Sequence, residues 1–344
     1  MPRVLVFWCI LMNLPATMYV LRWFLRDTFR QASASRLSWL MLGISGVFIL
    51  VCLSMGVRGD IALQRDGESV DFLPANDPLA ETARSSAKGV AVLDGELTVF
   101  FGFICVPLGR DAREAVHFLE LLLAGVVADS LGILLALVWT GGFVPAFLEP
   151  QTASVLLAKP IPRWTLLLGK YLGVLAFVAA QTTFFVAGTW FALAVRTGVW
   201  DFAYLLCVPM LLLHFAIFFA VSAFLAVRTR STVVCVFGSL VFWFACWGVN
   251  YGRHAALLSA DARGISPLVS ALVNVVYWML PKPADLGMVL FDTLRAGNSF
   301  QRLETFQAID RHGGFYPLLS LATCFVFTCF VLVAATRKFA RTDY

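Results

Sequence analysis

Charge is scarce in this sequence: 14% of its 344 residues are Asp, Glu, Lys or Arg, and only four are histidine. With 60% hydrophobic residues, so few ionic side chains cannot coat a water-soluble particle of 37.9 kDa, which excludes the soluble enzyme classes. A cysteine framework is also missing. Cys52, Cys207, Cys246, Cys324 and Cys329 sit inside apolar runs as small hydrophobes, Cys105 alone falls in the long polar segments, and C-x-x-C spacing is absent, so no metal site is expected. Nor is there a G-x-S-x-G, an H-E-x-x-H or a pair of histidines on one helix face, and no catalytic residue can be named. Leu168-Gly169-Lys170-Tyr171 comes nearest to a phosphate loop. Trp164 stands where its first glycine is needed and Tyr171 where a Ser or Thr must meet Mg²⁺, so nucleotide energy, with its ATP and Mg²⁺, must come from another polypeptide. A net charge of +5 is modest, and its basic residues cluster by membrane side, which gives no footprint for nucleic acid.

What is present is lipid-compatible helix. About 20 apolar residues cross the ~30 Å hydrocarbon core, and six runs qualify: 37–57, 117–147, 165–193, 202–227, 232–249 and 316–336. Their length and lack of period-2 alternation exclude barrel strands, which makes the fold class an all-α integral membrane protein with a six-span helical bundle. The second run is long for one bilayer, and Asp111 as N-cap with Glu114 in the first turn starts that helix outside the membrane.

Orientation follows from the basic residues of the connections. Arg22, Arg26, Arg30, Arg36, Lys159, Arg163, Lys170, Arg228, Arg230, Arg337, Lys338 and Arg341 face only Asp27, Glu149 and Asp343, whereas the opposite connections hold 13 basic and 16 acidic residues. The first set, with both termini, is expected in the cytoplasm of a cell bounded by its plasma (inner) membrane.

Before the first span, Leu21, Phe24, Leu25, Phe29 and Ala32 recur at helical spacing opposite Arg22, Arg26, Asp27, Arg30 and Gln31, which predicts an interfacial helix over 21–36, flat on anionic lipid. Residues 1–20 are apolar but interrupted by Asn13 and Pro15; an extra membrane-associated helix, a signal-like segment and a true start at Met18 all fit. Residues 58–116 read as a small, partly β outer domain, with a hairpin from Val90 through an Asp94-Gly95 turn to Val106 and a loop over 59–86. In the second outer segment, 250–315, the Pro267–Leu280 stretch is too short to cross and ends in Tyr277-Trp278; with Pro283–Leu294, which aligns Leu286, Val289, Leu290 and Leu294, it predicts two re-entrant or interfacial helices.

Few polar groups lie at membrane depth. Asp129 and His214 are either structural glue or part of a substrate or proton path. Ala124, Ala128, Gly132, Ala136 and Thr140 form a small-residue stripe, and Gly169 with Gly173 a shorter one, that admit close helix contact. Phe184, Phe185, Trp190, Trp243 and Trp247 are candidates for a greasy substrate seam between two protomers, or simply for lipid contact and bundle filling.

The most distinctive stretch is the cytoplasmic turn between spans two and three, 148–164. Glu149 precedes a short Thr152–Leu157 helix, stopped by Pro160 and Pro162; Lys159-Pro160 and Arg163 follow, then Gly169-Lys170 opens the next helix. This turn resembles the coupling segment of ABC-2 type transporter permeases, and the order of interfacial helix, span, outer domain, coupling turn, paired short helices and basic 337–344 tail resembles their layout. The resemblance implies a permease subunit of an ABC transporter, with Glu149, Lys159, Pro160, Arg163 and Lys170 contacting a cytoplasmic ATPase partner, a second permease copy, and a surround of membrane lipid. A membrane enzyme using Asp129, or an assembly scaffold, are the alternatives.

Overall fold

The computed structural model describes residues 14–64, 70–74, 91–99, 102–107, 112–149, 162–259, 267–295, 307, 309 and 314–341. The chain opens with helix α1 (Leu14–Ala34), breaks at Ser35 and continues as α2 (Arg36–Ser54), the first span. The break is held by side chains: Ser38 Oγ donates to Ala32 O at 2.6 Å, and Trp39 Nε1 to Ser33 O at 3.0 Å, which satisfies two of the carbonyls at the end of α1. A four-stranded antiparallel sheet follows, β1 (Gly56–Gln64), β2 (Val70–Pro74), β3 (Ala91–Val99) and β4 (Ile104–Pro107), in the order β2-β1-β3-β4. Span 2 comprises α3 (Ala112–Leu121), a π-helical stretch Leu122–Gly132, α4 (Ile133–Thr140) and, past a turn at Gly141-Gly142, α5 (Phe143–Phe147). Span 3 is α6 (Arg163–Thr197); span 4 is a 3-10 turn, Phe202–Leu206, leading into α7 (Cys207–Thr229); span 5 is α8 (Thr232–Ser259). Short helices α9 (Pro267–Met279) and α10 (Pro283–Thr293) precede α11 (Pro317–Arg341), span 6. Among the described residues, six helices are therefore long and apolar enough to cross a membrane.

Span 4 is the axis of the bundle. Of its apolar window 67% is buried, against 22% for spans 1, 5 and 6. Phe215, Ile217, Phe218, Phe219, Ala220 and Ala223 leave almost nothing exposed, and Tyr171 of span 3 stacks on Phe219 while donating its hydroxyl to Ala216 O at 2.8 Å. The outer spans keep large apolar faces exposed: Val233, Phe237, Val241, Phe244 and Trp247 run down one side of span 5.

Several local expectations need correction. The helix predicted over 21–36 begins seven residues earlier, and it is docked as well as amphipathic: Phe24, Thr28 and Ala32 are buried, while Arg22, Trp23, Arg26, Phe29 and Arg30 stay exposed. Close approach explains the docking. A Cβ on Gly169 would meet the Phe24 ring at 2.6 Å, and one on Gly173 would meet Thr28 Oγ1 at 2.6 Å and Phe24 O at 3.2 Å. Asp94-Gly95 is not a turn: both residues lie mid-strand in β3, opposite Asp60 and Gly59, and the chain reverses instead around Gly102, whose φ of +95° suits glycine. The loop expected over 59–86 contains most of β1 and all of β2. In span 2 the small-residue stripe faces a cavity as well as helix contacts: Ala124 and Thr140 are buried, whereas Ala128, Gly132 and Ala136 line a cavity of about 150 Å³ between spans 1 to 4. Asp111, expected as the N-cap of span 2, lies outside the described residues.

Candidate functional site

The two ends of the bundle are distinguishable without a membrane: α1, the end of span 2 at Glu149, the start of span 3 and the end of span 6 share one side, and the sheet, α9 and α10 share the other. On the α1 side, span 3 carries the residues expected to couple to a partner. Lys170 is buried, and its Nζ donates to Gln31 Oε1 at 2.6 Å and Asp27 Oδ2 at 3.1 Å. It therefore ties α1 to span 3. Arg163 Nη1 donates to Ala340 O at 3.2 Å, joining the start of span 3 to the end of span 6. Glu149 is exposed just past α5. Lys159, Pro160 and the Thr152–Leu157 helix lie outside the described residues.

Within the bundle the fold brings Asp129 and His214 together, Oδ1 to Nδ1 at 2.6 Å. Asp129 lies in the π-helical stretch, whose wider turn sets where its carboxylate emerges; Ser130 Oγ bonding to Gly125 O at 3.3 Å, five residues back, belongs to the same geometry. His214 Nε2 is buried and has no hydrogen-bond partner among the described residues. Pairing at membrane depth removes most of the cost of each group and cross-links spans 2 and 4.

The five seam aromatics do not form one surface of the protomer. Phe185 is buried, 5.9 Å from Phe48 by ring centroid, and lines the cavity; Trp243 is buried in span 5. Trp190 packs between Trp200 and Phe202 near the sheet side, while Phe184 and Trp247 are exposed, Trp247 stacked on Tyr251. The cavity joins Phe185 to Met41, Phe48, Trp139, Val178 and Leu211 under an apolar lining interrupted by the Gln181 to Ser45 hydrogen bond of 3.0 Å.

Two clusters on the sheet side were not anticipated from the sequence. Asp285 of α10 is fully buried; its Oδ2 accepts from the Tyr277 hydroxyl and from Ser320 Oγ at 2.8 Å, and its Oδ1 faces His254 Nε2 across 3.2 Å. Burial pushes this carboxyl up, but the bonds from His254, Tyr277 and Ser320 outweigh it and hold the group below its ordinary 3.8. Its contribution to stability is thus complete at neutral pH and is lost only as pH falls through that lowered value. Around it, buried Lys282 donates to Thr323 and sits 4.5 Å from the Trp278 ring, and Arg253 lies 4.0 Å over Tyr277, bonding Asn274 Oδ1 and Gly314 O at 3.2 Å each. These contacts lock α9 and α10 to spans 5 and 6. The second cluster joins His117 and Glu120 of α3 to Asp201, which precedes span 4. His117 Nδ1 is 3.6 Å from Glu120 Oε2 and 3.5 Å from Asp201 Oδ2, and the three groups' ligand atoms lie within 4.8 Å of one another. The expectation of no metal site rested on cysteine spacing, which does not register such a grouping; His117-x-x-Glu120 on one helical face was the legible half of a cluster completed far along the chain.

Comparison with protein families gives one match: the ABC-2 family transporter protein model, over residues 113–343. That range takes in spans 2 to 6, the 148–164 segment and the α9–α10 pair, while α1, span 1 and the four strands precede it. No curated protein matches the chain significantly. With six apolar helices and a family match over about two-thirds of its length, this multi-pass membrane protein belongs to the ABC-2 family of transporter proteins.

Proposed function

We propose that the chain is the permease subunit of an ABC exporter or extraction machine, working as a homodimer or beside a similar subunit, with ATP hydrolysed by a separate cytoplasmic ATPase. The observation that carries this reading is the family match across spans 2 to 6 and the segment between spans 2 and 3. The coupling contact falls to Glu149, Lys159, Pro160 and Arg163, on the side bearing the excess of basic residues and hence the cytoplasmic one. Glu149 suits direct contact because it is exposed; Arg163 suits transmission because it also holds the end of span 6. Lys170 acts through α1 by its bonds to Asp27 and Gln31. Spans 3 to 6 offer few polar groups for an ion path, which favours an amphipathic or lipid-linked substrate, approached along the exposed faces that carry Phe184 and Trp247.

Purification from native membranes, followed by identification of bound cytoplasmic protein, tests the reading. An ATPase subunit is expected at one or two copies per permease dimer, with hydrolysis stimulated by the permease. Stimulation should be lost in a Glu149→Lys, Lys159→Glu variant that still folds; unchanged stimulation in that variant, or co-purification without any ATPase, overturns the coupling assignment.

A further inference from the structure

The His117, Glu120 and Asp201 cluster contains more acceptors than its one donor can serve. Glu120 is 2% exposed, and neither its Oε2 nor Asp201 Oδ2 has a hydrogen-bond partner among the described residues. His117 Nδ1 faces both oxygens and can carry at most one proton. Two carboxylates this close repel, and Glu120 is buried where an uncompensated charge is expensive. Asp201 divides its carboxylate: Oδ1 accepts from Ala203 N at 2.9 Å, capping the 3-10 turn that begins span 4, and this holds Oδ2 toward the cluster.

We infer that His117 Nδ1, Glu120 Oε2 and Asp201 Oδ2 form a binding site for a divalent first-row transition metal, of which Zn²⁺ is the natural probe. The spacing fits. Ligand distances of about 2.0–2.2 Å in a tetrahedral shell place neighbouring ligand atoms about 3.4 Å apart, and the imidazole lies 3.6 and 3.5 Å from the two carboxylate oxygens. One imidazole with two carboxylates suits Zn²⁺, Mn²⁺ or Fe²⁺; the nitrogen ligand disfavours Ca²⁺ and Mg²⁺, and the absence of sulfur disfavours Cu⁺. The ion's two charges neutralise both carboxylates, which removes the penalty on Glu120. Side-chain exposures of 25% for His117 and 19% for Asp201 leave a path for the ion and room for water as a fourth ligand. Bound there, it cross-links the start of span 2 to the connection between spans 3 and 4 on the sheet side.

The test uses the full chain in lipid nanodiscs, purified without a polyhistidine tag, stripped with chelator and dialysed against Zn²⁺ at low micromolar concentration. Mass spectrometry of the metal content should find one Zn²⁺ per chain, and thermal unfolding should shift upward with Zn²⁺. Glu120→Gln and His117→Gln should each weaken binding at least about tenfold and abolish the thermal shift. Co²⁺ titrated into the unmodified protein should give the visible bands of a four-coordinate nitrogen and oxygen site, a readout independent of whether either variant folds. No retained Zn²⁺ together with no Co²⁺ bands, or retention unchanged in both variants, overturns the inference; the first result would leave a cluster that shares a proton, and the second would place the metal elsewhere, with exposed Cys329 the first residue to replace.

Discussion

Two acidic clusters on the sheet side pose the same problem, a carboxylate out of water, and solve it differently. Asp285 Oδ2 accepts from both Tyr277 and Ser320, Oδ1 faces His254 Nε2 across 3.2 Å, and Lys282 and Arg253 are nearby, so one carboxylate is met by three side chains and two cations. Glu120 and Asp201 share one imidazole between them. A satisfied buried carboxylate behaves as a structural rivet, and removing it exposes the donors gathered around it. An unsatisfied pair is a vacancy for positive charge, and neutralising one member relieves repulsion. The same element type at similar depth can thus be fixed glue or a candidate ligand set, and only a count of donors against acceptors tells them apart.

The largest effect that would sharpen this contrast is expected at Asp285. Asp285→Ala leaves His254, Tyr277 and Ser320 facing each other beside buried Lys282 and should cost about 3–5 kcal/mol, read as a collapse in folded yield and in the thermal midpoint of the solubilised protein. Gly173→Val should come next: its side chain drives against Thr28 and the backbone at Phe24, displacing α1 at a cost of about 1–3 kcal/mol, seen as faster amide exchange across 22–34 with the other spans unchanged. Glu120→Gln in the presence of chelator should leave stability within about 1 kcal/mol of the parent, or above it; a loss matching that of Asp285→Ala would show that the two clusters are alike and break the comparison. Trp247→Ala, at a position 45% exposed, should move stability by no more than about 0.5 kcal/mol. If Trp247 lies on the substrate's approach, that variant should nevertheless blunt stimulation of ATP hydrolysis by lipid-like compounds.

How much of this was legible depended on what each feature answers to. Spans are dictated by the bilayer, a uniform solvent that each helix meets separately, so Leu37 to Val57 and its five counterparts could be read locally, with ends misplaced by a few residues. Span 5 was shortened most because Asn250, Arg253 and His254 look like the end of a membrane helix, yet all three are buried and the helix continues to Ser259. Asp94-Gly95 carried a strong local turn signal, but pairing with β1 on a neighbouring strand outweighed it. Asp129 and His214 could be flagged singly, since charge at depth is conspicuous, whereas their meeting at 2.6 Å depends on the π-helical turn, which leaves no mark in hydropathy. Lys170 was read as a contact for another protein because its neighbours resemble a coupling turn; burial against α1 gives it an internal partner instead. Asp201 was invisible because its relation to Glu120 exists only after spans 2 and 4 have packed.

The base of span 3 has a mechanical consequence. Lys170 clasps α1 through Asp27 and Gln31, and Arg163, two turns earlier on the same helix, grips the last turn of span 6 at Ala340. Gly169 and Gly173 remove the padding that would let α1 slide on span 3. Three segments from the beginning, middle and end of the chain are thereby yoked at one point, so that α1 and the end of span 6 share a single anchorage on the first two turns of span 3.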